Sequence, residues 1–185
     1  IKDFFYIPGT ILHLDADQEY IDKWNEYYKT QQIKLFSYRY KESEFKDNVI
    51  SLIKKHNPKV LVITGHDAYY TKRKNNENYK NSKYFVETVK EVRKAKNQND
   101  LAIVAGACGS DFISLIKAGS TYASSPAHVN IHALDPAIIA SGIALTDINE
   151  QVDMEKIIEK TKYKSDGIGG IKSKGMMISV YPRKE

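Results

Sequence analysis

Two residues capable of nucleophilic chemistry follow two similar apolar runs. Cys108, the only cysteine among 185 residues, ends the run at residues 101–107, and His66 ends the run at residues 59–65, 42 positions earlier. Both runs have the Val, Ile and Leu content typical of strands covered on both faces of a parallel sheet. Parallel strands deliver the residues that follow them to one edge, so we expect the thiol and the imidazole to meet there. A thiol beside an imidazole is the minimum equipment of a cysteine hydrolase.

The residues around Cys108 suit the formation of a thiolate. A helix predicted to begin near Ser110 or Asp111 would direct backbone amides at the sulfur, and a nearby imidazolium would add to that stabilisation. Gly106 and Gly109 flank the cysteine, so backbone N–H groups there can approach a substrate carbonyl as an oxyanion site. Taken alone, Cys108 is better explained as a buried, inert thiol at a strand end. The matching element that ends at His66 favours the nucleophile.

The elements that must position these residues alternate between strands and helices. Strands are predicted at residues 10–14, 34–38, 59–64, 101–105, 120–123 and 176–181, and helices at residues 18–29, from 43 to before Pro58, from 81 or 82 to 96, at 111–118 and at 153–161. This order predicts an α/β fold with a mostly parallel sheet and helices on both faces, in three layers, followed by a less regular C-terminal segment. Residues 69–78 are too polar to pack and predict an exposed, mobile loop. Residues 166–170 predict a turn.

The composition restricts the class of protein. A chain of this length with 42% hydrophobic residues suits one domain. One cysteine excludes an intramolecular disulfide and indicates a reducing, intracellular compartment. No apolar run approaches the about 20 residues that span a bilayer, so no membrane association is expected. The net charge of +5 comes from scattered lysines without a nucleic-acid motif, so no nucleic-acid partner is expected either.

A set of motifs resembles a known family. An apolar block ending in His, followed by one ending in Ala-Cys, is similar to the caspase, gingipain and clostripain clan of cysteine peptidases. More closely, seven segments resemble the YabG family of sporulation-specific proteases of spore-forming Firmicutes: residues 9–15, 63–67, 81–89, 105–110, 123–126, 131–136 and 167–170. The resemblance covers nearly the whole chain. It implies a caspase- or flavodoxin-like fold and, for residues 1–185, a single cysteine peptidase domain.

The resemblance also implies an activity and its residues. The family trims spore coat and cortex-associated proteins, often after Arg, which places the protein in the mother cell or the spore coat of a sporulating cell. Cys108 then corresponds to the nucleophile and His66 to the general base, without a cofactor. Protein substrates are the expected partners, and the oligomeric state stays open. Because the chain begins at Ile1, we expect a native N-terminal region to be missing.

One departure from the wider clan concerns the oxyanion. In caspase-like enzymes a glycine follows the histidine, whereas here Gly65 precedes His66 and Asp67 follows it. The candidates for oxyanion or substrate binding are Gly65, Asp67 and Gly109, with Ser124 and Ser125 after the fifth strand. Asp67 is also a candidate to orient the imidazole, with a cap or turn role as the alternative.

A peptidase that prefers Arg needs a carboxylate in its specificity pocket, because a guanidinium is bound best by a bidentate acid. Asp15, Asp111 and Asp135 are the candidates, and the sequence does not rank them. Arg73 lies in the polar loop after His66 and would suit an Arg-preferring enzyme that cleaves itself. Autoprocessing after Arg73 is therefore a further prediction.

Two other function classes stay open. One is a non-catalytic, flavodoxin-like ligand-binding module in which Cys108 is buried. The other is a metal-dependent hydrolase that uses His13, Asp15 and His66, with His128 and His132 spaced to share a helix face. None of these residues has the spacing of a defined metal site, so we expect no metal.

Overall fold

The computed structural model describes residues 3–70 and 78–183, and its centre is a six-stranded sheet in the order β3-β2-β4-β5-β6-β7. Strands β3, β2, β4, β5 and β6 are parallel, and β7 is antiparallel to β6. The strands are β1 Phe5–Ile7, β2 Ile11–Asp15, β3 Leu35–Arg39, β4 Val60–Ile63, β5 Ala102–Ala105, β6 Tyr122–Ser124, β7 Ile168–Gly170 and β8 Ile178–Val180. The helices are α1 Gln18–Gln31, α2 Phe45–His56, α3 Ser82–Arg93, α4 Phe112–Ala118, α5 Asp135–Ala144, α6 Met154–Glu159 and α7 Lys164–Gly167.

The central strands are buried on both faces because successive side chains point to opposite sides. Ile11 of β2 and Val62 of β4 belong to the apolar layer that contains Trp24 of α1 and residues of α5 and α6. Leu12 and Ile63, one position further along, belong to the layer formed with α2, α3 and α4. Consecutive apolar residues in these strands therefore fill two layers at once. The predicted three-layer α/β fold with a mostly parallel sheet is confirmed.

The order of the strands creates a crevice at the carboxyl edge of the sheet. β2 leads through α1 to β3 on one side, while β4, its neighbour on the other side, leads through α3 to β5. The segments that follow β2 and β4 therefore leave the sheet in opposite directions. Ligands of open α/β sheets bind at such a point.

The C-terminal part differs most from the sequence-based prediction. The predicted turn at residues 166–170 is wrong, because residues 164–167 form α7 and residues 168–170 form β7 against β6. Glycine allows this close pairing, since a Cβ on Gly170 would lie 2.5 Å from Cδ2 of Tyr122. The predicted last strand exists as β8, but it pairs with the unpredicted β1 in a separate two-stranded sheet.

Helix α5 was not predicted, and its burial explains why. It is apolar on nearly all sides, and eight of its ten residues are buried. Such a helix lacks the polar face that produces a 3.6-residue period in the sequence. Within the described ranges, the helices are too short or too polar to cross a membrane.

The predicted loop at residues 69–78 begins and ends in an ordered contact. Tyr69 and Tyr79 form an isolated antiparallel bridge, and their rings lie 5.0 Å apart. Most of the loop, with Arg73, falls outside the described residues. Self-cleavage after Arg73 stays a prediction.

Candidate active site

The register of two neighbouring strands places His66 and Cys108 at the same level. Ile63 of β4 pairs with Ala105 of β5, and these residues are separated by the same 42 positions as His66 and Cys108. His66 and Cys108 each follow their strand by three positions. Both line one cavity of about 80 Å³ at the carboxyl edge of the sheet. The structure therefore brings the two predicted residues to a common site.

Cys108 is a half-buried free thiol held by the segment that precedes α5. Its Sγ accepts a hydrogen bond from the backbone N–H of Ile131 over 3.3 Å and lies 3.7 Å from the carbonyl oxygen of the same residue. The amide and the carbonyl of Ile131 therefore both contact the sulfur and hold it at the cavity.

The turn that carries Cys108 uses most of its amides for structure. The N–H of Gly109 donates to Oγ of Ser125, and that of Ala107 donates to Oγ of Ser110. The N–H of Asp111, the N-cap of α4, donates to Oγ of Ser82 in α3, so this amide is used within the fold. Among the described contacts of residues 107–111, the amide of Cys108 alone has no partner within the chain.

His66 is fixed through its backbone and reached by solvent through its ring, with 54% of the side chain exposed. Its N–H donates to Oε2 of Glu42 over 2.9 Å, and its carbonyl accepts from Nδ2 of Asn81 over 2.8 Å. The ring nitrogen Nε2 lies 3.2 Å from Oδ2 of Asp17. The backbone contacts thus set the position of the residue, and the aspartate contacts one side of its ring.

The absence of a side chain at Gly65 allows the contact between Glu42 and His66. A Cβ at this position would lie 2.5 Å from Oε2 of Glu42. Glycine therefore leaves the space in which the carboxylate accepts the N–H of His66. The structure gives Gly65 this packing role beside the cavity that it lines.

Asp67 braces the two loops of the site. Its Oδ1 accepts the N–H groups of Ala68 and Asn81, at 2.9 and 2.7 Å. Its Oδ2 accepts the hydroxyls of Ser82 and Ser110, at 2.5 and 2.9 Å. Because both oxygens are used in this way, Asp67 joins the loop after β4 to the start of α3 and to the turn after Cys108.

Asp15 lines the cavity below the two functional residues. It is 1% exposed, and its carboxylate accepts the hydroxyl of Thr64 at 2.5 Å and the N–H of Asp17 at 2.8 Å. Buried His13 lies 3.4 Å from Asp15, with Nε2 2.7 Å from Oγ1 of Thr64, and its ring stacks on Trp24 at 3.8 Å. Over the described ranges, no three or more His, Cys, Asp or Glu side chains are grouped as metal ligands.

A comparison with protein families matches residues 1–182 to the family described as YabG peptidase U57. This chain belongs to the YabG peptidase family. A curated relative, the sporulation-specific protease YabG of Bacillus subtilis, is 39% identical over 187 residues. The alignment covers 99% of this chain and 64% of that protein, so the chain spans less than two thirds of its relative. The resemblance inferred from the sequence motifs is confirmed.

Solved structures resemble the chain only weakly. A two-component system response regulator/GGDEF domain protein gives a TM-score of 0.49 at 10% identity, over 72% of this chain and 48% of that one. The methanol:cobalamin methyltransferase complex of Methanosarcina barkeri gives 0.46 at 14% identity, over 74% and 48%. These values are too low to indicate a shared function.

Two predicted binding serines of the YabG-family chain lie inside the fold. Ser124 and Ser125 are both 0% exposed, although the sequence suggested exposed hydroxyls. Ser125 accepts the N–H of Gly109 and donates to the carbonyl of Val129. Ser124 packs beside Gly106, where an added Cβ would lie 3.2 Å from the serine Cβ. Their observed contacts support the turn that holds Cys108.

The two other candidate acids lie in helix starts. Asp135, 2% exposed in the first turn of α5, accepts the N–H groups of His132 and Lys162, each at 3.0 Å. Asp111 caps α4 by accepting the N–H and the hydroxyl of Ser114. Neither lines the cavity of Cys108 and His66.

His128 and His132 do not share a helix face, because both precede α5. The His128 ring stacks on Tyr69 at 4.3 Å, and Nδ1 of His132 accepts the N–H of Leu134. The stack joins the loop after His66 to the segment before α5. Burial, and then the charge of Asp111, raise the pKa of the adjoining Tyr79 to about 12.

Sequence reasoning missed several groups that shape the site. Glu42, Asn81 and the amide of Ile131 belong to segments far from Cys108 and His66 in the chain, and no spacing rule connects them. Asp17 directly precedes the predicted helix at residues 18–29 and was not among the candidate site residues. Tyr20, one turn into α1, lies 6.0 Å from the ring of His66. Burial, then the negative charges of Asp17 and Cys108, raise the pKa of Tyr20.

Proposed function

We propose that this YabG-family chain is a cysteine endopeptidase that acts in sporulation. The observation that carries the proposal is the matched register that places His66 and Cys108 in one cavity. In the proposed reaction, His66 takes the thiol proton while Cys108 Sγ attacks a peptide carbonyl carbon. The proton passes to the leaving amine, and an acyl-enzyme remains. Water then gives a proton to His66, attacks the acyl carbon and releases the second product and the thiol.

The unpartnered amide of Cys108 supports a role in oxyanion binding. During attack, the carbonyl oxygen gains negative charge directly beside the nucleophile, where a preorganised donor stabilises the transition state. The predicted donor at Gly109 is occupied by Ser125, and the amide of His66 by Glu42. We therefore assign the first oxyanion hydrogen bond to the N–H of Cys108.

The position of Asp15 supports the proposal that the enzyme cleaves after Arg. Of the three candidate acids, it alone lines the cavity that contains Cys108 and His66. Its oxygens accept the hydroxyl of Thr64 and the N–H of Asp17, and Nε2 of His13 lies 3.4 Å away, so the carboxylate is held at the cavity where a substrate cation would meet it. Spore coat and cortex-associated proteins with an accessible Arg are the proposed substrates.

Inhibitors separate the three function classes. We expect iodoacetamide to abolish hydrolysis of Arg-containing peptides because it alkylates the nucleophilic sulfur, and EDTA to leave the rate unchanged. The experiment measures initial rates after incubation with each reagent, with peptide mapping to show that Cys108 carries the alkyl group. Loss of activity with EDTA alone would indicate a metal-dependent hydrolase. Absence of any hydrolysis in the untreated full-length protein would favour a ligand-binding module.

The specificity proposal is tested with Arg and citrulline at the cleaved position, because these side chains differ little except in charge. We expect Asp15→Asn to reduce the preference for Arg, expressed as the ratio of kcat/KM values, by about 10- to 100-fold. Asp135→Asn is the matched control, since Asp135 is equally buried but lies outside the cavity. An unchanged ratio in Asp15→Asn would reject Asp15 as the selecting acid.

A further inference from the structure

We propose that Asp17 is a positioning residue for His66, which extends the Cys108–His66 pair to a third side chain. The inference rests on the proposed function. Oδ2 of Asp17 lies 3.2 Å from Nε2 of His66. Asp17 follows β2, the strand next to β4, so it reaches the ring from the opposite side of the crevice to the loop that carries His66.

The two oxygens of Asp17 have different partners. Oδ1 accepts the N–H of Glu19 at 2.9 Å and so caps α1, while Oδ2 faces His66. The backbone N–H of Asp17 donates to Oδ1 of Asp15 at 2.8 Å, which fixes the residue from below. The helix cap and the buried Asp15 thus hold the carboxylate in place before any substrate arrives.

This arrangement determines which ring nitrogen acts as the base. A neutral imidazole has one N–H donor and one acceptor nitrogen, and an ionised carboxylate can only accept. A hydrogen bond from Nε2 to Oδ2 of Asp17 would keep the proton of the neutral ring on Nε2 and leave Nδ1 to receive the proton of the Cys108 thiol. The imidazolium formed by that transfer lies beside a negative charge, which stabilises it.

The other nearby acid does not fill this role. Asp67 is adjacent to His66 in sequence, but its Oδ1 accepts two backbone amides and its Oδ2 two serine hydroxyls. Glu42 contacts the backbone N–H of His66 and not the ring. Among the described residues, the carboxylate paired with the imidazole is that of Asp17.

The substitutions Asp17→Asn and Asp17→Ser test the role, because Asp, Asn and Ser are all good N-caps. If Asn keeps its carbonyl oxygen on the N–H of Glu19, it turns its NH2 group toward Nε2, which must then accept, and the proton moves to Nδ1. Ser caps the helix without reaching the ring. We expect kcat to fall about 100-fold for Asp17→Asn and about 10-fold for Asp17→Ser, with KM within about twofold.

If Asp17 acted only as the cap of α1, kcat should fall less for Asp17→Asn than for Asp17→Ser, since Asn is the closer replacement for Asp. The matched control is Asp153→Asn, which changes the N-cap of α6, where Asp153 accepts the N–H of Lys156. The melting temperatures of all three variants should agree with that of the parent within about 2 °C if the caps persist.

Nitrogen NMR of 15N-histidine-labelled protein reads the tautomer without an activity assay. We expect a protonated Nε2 in the parent and a protonated Nδ1 in Asp17→Asn. A parent-like tautomer and kcat in Asp17→Asn would overturn the proposal, as would equal losses in Asp17→Asn and Asp17→Ser. Cys108→Ala, assayed in parallel, distinguishes a failure of the proposed function from a failure of the role of Asp17. If Cys108→Ala remains active, the proposed function itself is wrong. If Cys108→Ala is inactive, a negative result concerns Asp17 alone.

Discussion

The two ends of β5 carry polar groups that are used in opposite ways. At the amino end, Arg93 donates to the backbone carbonyls of Gly119, Leu101, Asn97 and Lys96. At the carboxyl end, the amide of Cys108 has no described partner in the chain, and the neighbouring imidazole of His66 is half exposed. Burial lowers the pKa of Arg93 to about 10, because the partly buried guanidinium has lost part of its hydration.

The difference shows how a functional group can be told from a structural one in the same sheet. The described hydrogen bonds of Arg93 all end on groups of its own fold, four backbone carbonyls and the hydroxyl of Thr121, so they serve the structure. An unpartnered amide and a half-exposed ring, both at a cavity, keep the capacity to bind a ligand. Asp67 is intermediate, because it lies at the functional edge but accepts four hydrogen bonds from the protein.

The largest effect on stability is expected at the amino end. We expect Arg93→Met to lower the free energy of unfolding by about 3 kcal/mol, because four carbonyls, three of them in partly buried contacts, lose their donor together. The kcat of the folded fraction should stay within about twofold of the parent value. Urea unfolding measures the stability, and the exposed neighbour variant Lys94→Met is the control. A stable but inactive Arg93→Met protein would break the distinction between the two ends.

A smaller loss of stability is expected at Asp67. In Asp67→Asn, an NH2 group replaces the oxygen that accepts the hydroxyls of Ser82 and Ser110, so we expect a loss of about 1–2 kcal/mol. Since these contacts brace both loops of the site, kcat should also fall, by about tenfold. Urea unfolding and steady-state kinetics measure both, with exposed Asp100→Asn as the control. If stability falls while kcat does not, Asp67 has no influence on the site.

The position of His66 and Cys108 at one cavity was predictable because it depends on strand register. Apolar runs end at similar points before His66 and Cys108, and their separation along the chain equals the offset between the paired strands. The contact of Asp17 with His66 was not predictable from spacing. It depends on the direction in which two segments leave neighbouring strands, and on which carboxylate oxygen the helix cap leaves free.

The local sequence pattern also failed to predict features that are determined by tertiary packing. Helix α5 has no polar face, so its period is invisible in the sequence. The glycines of β7 indicate a turn, but the ring of Tyr122 occupies the space that a side chain at Gly170 would need. Ser124 and Ser125 lie at the end of β6 at the predicted edge, yet both are buried, and Ser125 is held between Gly109 and Val129.

The proposed peptidase activity depends on Cys108 and His66 at the carboxyl edge of the sheet. The most direct measurement is kcat/KM of Cys108→Ala and His66→Ala for a peptide with Arg at the cleaved position, with unfolding followed on the same samples. We predict that each variant loses activity by at least about a thousandfold while its free energy of unfolding changes by less than about 1 kcal/mol. Hydrolysis at the parent rate by either well-folded variant would contradict the assignment of Cys108 and His66 as the catalytic pair.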